Sequence, residues 1–154
     1  MSHPDIDALD LAPTAKAAAE LIKGKHPDVV FTSGRRSLSE QASAMAANIV
    51  SSGNRNWIRQ TYAAADALQQ WVDANPDVVT KDGIAAGLEA TLHTLPDADR
   101  NKVSKHLTGQ AFDIKPQTAN ADVIKSDIRE LPGLTKFLER EGGLVRWHAQ
   151  FQES

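Results

Sequence analysis

The 154-residue chain predicts an α+β fold, a small antiparallel sheet packed with several helices. Three observations carry that prediction. Residues 29–33, 110–115 and 144–151 show the β-branched or alternating pattern of strands. Between them lie longer stretches with apolar residues at helical spacing. A hydrophobic content of 41% and a charged content of 24% are those of an ordinary globular chain, and the length suits a single domain, 1–154, with its own core.

The elements follow in order. Residues 1–10 read as a loose lead. Residues 14–23 form an Ala-rich helix that buries Ala18, Leu21 and Ile22, with Gly24 near its end. His26 sits in a Lys-His-Pro-Asp turn and reads as solvated. Residues 29–33 (V-V-F-T-S) are a strand, and Gly34 allows a sharp exit from it. Ser37 and Glu40 have the spacing of a capping box, which gives Glu40 a sufficient structural role. The helix they open runs to about Val50 through Ala42, Met45, Ala46 and Ile49.

Residues 51–54 are a loop. Residues 57–74 then read as one helix carrying Trp57, Ile58, Tyr62, Ala65, Leu68 and Trp71, stopped by Asn75-Pro76. Residues 81–95 form another, with Ile84, Leu88, Leu92 and Leu95 at helical spacing; Gly83 and Gly87 oppose it, and His93 reads as a surface or packing residue. This helical insertion, about 54–95, supplies core aromatics or, alternatively, one wall of a cleft. Residues 96–100 are a loop. After the strand at 110–115, residues 117–120 are a loop and 122–131 a helix ended by Pro132-Gly133. Residues 134–141 read as a short helix with Gly142-Gly143 as its C-cap. On the final strand, Val145, Trp147, Ala149 and Phe151 would fill the core, and Leu144, Arg146, His148 and Gln150 would take the opposite face.

A net charge of −3 gives no bulk attraction to nucleic acid or anionic membrane. No apolar run is long enough to span a membrane. The polar, acidic N-terminus lacks the basic and apolar regions of a signal peptide. The chain has no cysteine, which excludes disulfides and thiolate metal sites and leaves histidine and carboxylate as ligands.

Residues 104–116 read S-K-H-L-T-G-Q-A-F-D-I-K-P. Thr108-Gly109 supplies turn chemistry between His106 and the strand. On that strand Phe112 and Ile114 point to the core, and Ala111 and Asp113 to the other face. The turn can set His106 beside Asp113. An imidazole and a carboxylate so placed are two of the three protein ligands of a catalytic zinc site, whose fourth position stays open. His148, on the corresponding face of the last strand, offers the third.

Ser104, His106, Gly109, Ala111 and Asp113 match the zinc motif of the peptidoglycan D-Ala-D-Ala carboxypeptidase family, and the chain resembles that family. Its members include vancomycin-resistance dipeptidases and phage L-Ala-D-Glu endolysins, and it shares a zinc-site fold with the hedgehog signalling domain. Two further signatures match in order: Ser33-Gly34-Arg35-Arg36-Ser37 followed by Gln41, and Trp147-His148. The resemblance implies a zinc ion held by His106, Asp113 and His148. It also implies that Arg36 steadies substrate or transition state.

Arg35 replaces the family's tyrosine. Val145 stands three residues before His148, where many members carry the general base. Glu141 is the nearest upstream carboxylate and becomes the candidate base. Ser104, Gln41 and Arg35 become candidate substrate contacts.

The implied function is zinc-dependent hydrolysis of a D-amino-acid-containing bond in peptidoglycan stem peptides or cross-links, as a carboxypeptidase or endopeptidase in cell-wall degradation. The alternative, fed by Val145, is a catalytically inactive zinc-containing peptidoglycan-binding module. Peptidoglycan peptides are the expected partner. Without a signal peptide, a chain made in the cytoplasm would reach periplasm or cell wall by phage-type release or dedicated secretion. A delivery system, and an immunity or inhibitor protein, would then be further partners.

Overall fold

The computed structural model describes residues 3–141 and 144–153, with the backbone alone at Glu141 and Leu144. It divides into two compact units, Met1–Arg35 with Thr108–Ser154, and Arg36–Leu107. The fold class is α+β, with eight α-helices and a four-stranded antiparallel sheet among the described residues.

The first unit holds the sheet. Its strands are β1 (Phe31–Ser33), β2 (Ala111–Ile114), β3 (Leu134–Glu141) and β4 (Leu144–Phe151), in the spatial order β1-β2-β4-β3. Phe112, Ile114, Trp147, Ala149 and Phe151 point to one face. They form a core with Ala15, Ala18, Ala19 and Ile22 of α2 (Pro13–Lys25) and Ile124 and Ile128 of α8 (Ala121–Arg129). The Phe112 ring anchors it, 5.3 Å edge-on from Phe31 and 5.2 Å from Phe151.

Several expectations change here. The lead is ordered: Pro4 opens α1 (Pro4–Asp7), which buries Ile6. Leu21 is 47% exposed, and α2 buries small alanines instead. His26 is not solvated; its Nε2 lies 2.7 Å from Asp127 Oδ2. Residues 134–141 are β3, not a helix. Val145 is 57% exposed rather than core, because β2 ends its pairing at Trp147 and leaves Val145 beyond it. As the edge strand, β3 carries Lys136, Glu139 and Arg140, charges that discourage pairing with another chain.

The second unit is helical: α3 (Leu38–Ser52), α4 (Trp57–Thr61), α5 (Asp66–Ala74), α6 (Lys81–Thr94) and α7 (Asp97–Val103). It takes in the 54–95 stretch together with α3 and α7. Ala42, Met45, Ala46 and Ile49 of α3 and Ile84, Leu88 and Leu92 of α6 fill its core, as their spacing predicts. The capping box is present, with Glu40 N–H on Ser37 Oγ and Ser37 N–H on Glu40 Oε1.

The expected helix over 57–74 is two. Tyr62 takes extended backbone and ends α4, and its hydroxyl lies 3.4 Å from Gln41 Nε2. The run of alanines that follows hides this break, because alanine favours helix intrinsically. Residues 96–100, expected as a loop, instead open α7 (Asp97–Val103) after Pro96, with Asp97 and Asp99 in its first turn where the helix dipole favours them.

Candidate functional site

In the first unit, antiparallel pairing sets Asp113 of β2 directly opposite His148 of β4. Directly opposed residues share a face, and this face is the one turned away from the Phe112 core. Both side chains are buried, at 2% and 3% exposure. His148 Nδ1 is 2.8 Å from Asp113 Oδ1. The second oxygen of the carboxylate is also engaged, since Ser33 Oγ donates to Asp113 Oδ2 at 2.7 Å. The second nitrogen of the imidazole lies 2.9 Å from Gln150 Oε1. Four residues from three strands therefore make one continuous polar chain, Ser33–Asp113–His148–Gln150.

Gly109 holds the entry to β2. Its φ of +74° suits glycine, and its carbonyl accepts from Ala12 N–H at 2.9 Å. A Cβ there would meet Arg35 Nη2 at 2.8 Å and Ala12 N at 3.0 Å. Arg35, a candidate substrate contact, is tied down beside it: Nε donates to Asp10 O at 2.9 Å and lies 3.1 Å from Asp10 Oδ2.

In the second unit, the Arg36 N–H donates to His106 O at 2.9 Å, which ties the arginine signature to the histidine signature through backbone. The Arg36 guanidinium donates from Nη1 to Gln41 Oε1 at 3.3 Å. Ser104 Oγ accepts from His106 N–H at 3.2 Å and shapes the 3-10 turn Lys105–Thr108. His106 itself is 2% exposed. Hydrogen bonds from Ser37 hold the Glu40 carboxyl below its ordinary range, with the Arg36 charge a smaller contributor. Glu40 is thus accounted for by the cap.

Glu141 closes β3 opposite Leu144, and its side chain lies outside the described residues. Leu144 is four residues along β4 from His148, with an irregularity of register between them. The argument that a helix end at Gly142-Gly143 carries Glu141 back over the strand does not hold, because residues 134–141 are strand. His93 is exposed at the end of α6.

The sequence reading assigned no role to Ser33 or Gln150. Gln150 shares the His148 face by simple alternation, so its spacing of two was the available signal. Ser33 entered only as the first residue of the Ser33–Ser37 signature, and its partner was not readable, since β1 meets β2 with an irregular register that no local pattern encodes. No family model, curated protein or solved structure matches the chain.

Proposed function

We propose that the protein is a zinc-dependent peptidase of peptidoglycan stem peptides or cross-links, with His106, Asp113 and His148 as the metal ligands. The observation that carries the reading is one of distance. One ligand atom from each of these three buried side chains lies within 4.8 Å of the others. Two imidazoles and one carboxylate are the donor set of a catalytic zinc site with an open position, whereas a structural site would be closed by a fourth side chain. Zinc held there would supply a water acidic enough to ionise near neutral pH and a Lewis acid for a carbonyl.

The chain's own groups divide the remaining tasks. Asp113 and His148 come to one face by strand pairing, so their separation is set by backbone and not by flexible loops. Arg36, fixed through its own N–H and through Gln41, is the group assigned to a substrate carboxylate or a developing oxyanion. Ser104, Gln41 and Arg35 are assigned to the peptide. Glu141, the nearest upstream carboxylate, is kept on sequence position alone as the candidate to take a proton from water and pass it to the leaving amine. The substrate class rests on the likeness of the three sequence signatures to the D-Ala-D-Ala carboxypeptidase family.

Val145 favours a second reading, a zinc-containing module that binds peptidoglycan without cutting it. This residue holds the family's base position and is 57% exposed, with no carboxylate to offer. Mass spectrometry of peptidoglycan fragments incubated with the zinc-loaded protein separates the two. The peptidase reading expects cleavage products that vanish on chelation and in His148→Ala. Binding of fragments with no new product would support the module instead. Full cleavage by Glu141→Ala would overturn only the assignment of the base.

A further inference from the structure

We infer that Gln150 is a positioning residue for the metal ligand His148, and that it selects Nδ1 as the atom that binds. The inference rests on the metal reading above and goes beyond it, because ligand identity alone does not say which nitrogen of an imidazole is used. That choice is made by the hydrogen bond at the other ring nitrogen.

The geometry is specific. His148 Nδ1 faces Asp113 Oδ1 at 2.8 Å, so these two atoms, one from each ligand, converge. Each ligand is held from behind at its other atom. Ser33 Oγ donates to Asp113 Oδ2, and Gln150 Oε1 stands 2.9 Å from His148 Nε2. An amide oxygen accepts a hydrogen bond and does not donate one. An imidazole that gives Nε2–H to Gln150 has its lone pair on Nδ1, which is the form that ligates a metal. Were the metal on Nε2, the Gln150 oxygen would lie where the ion must sit, and the 2.8 Å approach of Nδ1 to Asp113 would play no part in ligation.

Gln150 is itself well placed to hold this orientation. Its backbone is paired on both sides, with Ala111 of β2 and Lys136 of β3. Its carbonyl also accepts from Thr135 Oγ1 at 3.3 Å. Being two residues from His148 on the same strand, it shares the same face by alternation, and the pairing needs no loop to hold it. Its amide therefore acts on the imidazole from a fixed base. Conserving the acceptor should conserve the effect, and removing it should leave the ring free to turn.

The test uses the full-length protein with zinc alone as ligand. Calorimetric titration would compare wild type with Gln150→Met, which keeps the bulk and loses the amide, and Gln150→Glu, which keeps an acceptor. Zinc affinity should fall about 10- to 100-fold in Gln150→Met, the usual cost of losing such a partner, and Gln150→Glu should restore it. The imidazole nitrogen-15 spectrum of the zinc-loaded wild type should show His148 protonated at Nε2 and metal-bound at Nδ1. A merely structural role would not move that signature. Equal affinity in wild type and Gln150→Met, or a spectrum with Nε2 metal-bound, overturns the inference while leaving the metal site intact. A wild-type protein that takes up no zinc overturns the metal reading and this inference together.

Discussion

Asp113 shows how much one buried carboxylate can be asked to do. A carboxyl group taken out of water needs partners on both oxygens, and it has Ser33 on one and His148 on the other. Removing the first should therefore cost stability as well as alignment. Ser33→Ala is expected to lower unfolding free energy by roughly 1–3 kcal/mol, the usual cost of leaving a buried polar atom without its hydrogen bond, read from urea denaturation. Unchanged stability would mean that the Ser33 bond contributes nothing.

The Asp113–His148 pair was readable in the sequence because alternation on two short strands assigns faces unambiguously. The roles of Ser33 and Gln150 were not assigned there. The cross-strand partner of Ser33 depends on register, which the sequence does not carry locally. The amide of Gln150 gains meaning only once the imidazole beside it has a position.

At the scale of single elements, intrinsic propensity and tertiary context disagree in instructive places. Leu134, Lys136, Leu138, Glu139 and Arg140 are all residues that suit helix, yet they lie in β3 because β4 pairs with it from Leu134 to Glu141, with two irregularities of register. Two glycines between two runs of this kind are also a hairpin signal, and that reading of Gly142-Gly143 would have put a strand before them.

Gly87 is the converse case. In a helix interior glycine normally costs about 1 kcal/mol relative to alanine. Here a Cβ would fall 1.8 Å from Trp71 Cζ2, and forcing bulk into a packed core costs about 1–3 kcal/mol. The steric effect outweighs the propensity gain, so Gly87→Ala is expected to destabilise the protein; a rise in the urea midpoint would contradict this. Ser37→Ala removes the capping box of α3 and is expected to cost about 1 kcal/mol, by the same measurement.

Across the molecule, the two compact units each carry their own apolar cluster, one behind the sheet and one among α3 to α7. Helical spacing made much of the second cluster legible in advance. The order of strands around β2 was not legible, since it depends on contacts between distant segments. No described helix is long and apolar enough to cross a membrane.

Hydrogen bonds from Lys23 and Ser37 hold Asp5 and Glu40 below their ordinary ranges, and hydrogen bonds from Gln69 and Lys125, with charges behind them, do the same for Asp73 and Glu139. Carboxyls depressed in the folded state contribute stability that is full above the unfolded value and is lost as pH falls through the folded one. The urea midpoint should therefore drop on acidification below about pH 4. A midpoint that holds steady down to pH 2 would count against those pairings.

The central claim is that one metal ion is held by His106, Asp113 and His148. Its most direct measurement is the zinc stoichiometry and affinity of His106→Ala beside the wild type, with circular dichroism to confirm that both are folded. The account predicts one zinc per wild-type chain and a loss of more than about 100-fold in the variant, beyond what an outer hydrogen-bond partner costs. A folded His106→Ala protein that binds zinc as tightly as wild type would contradict it.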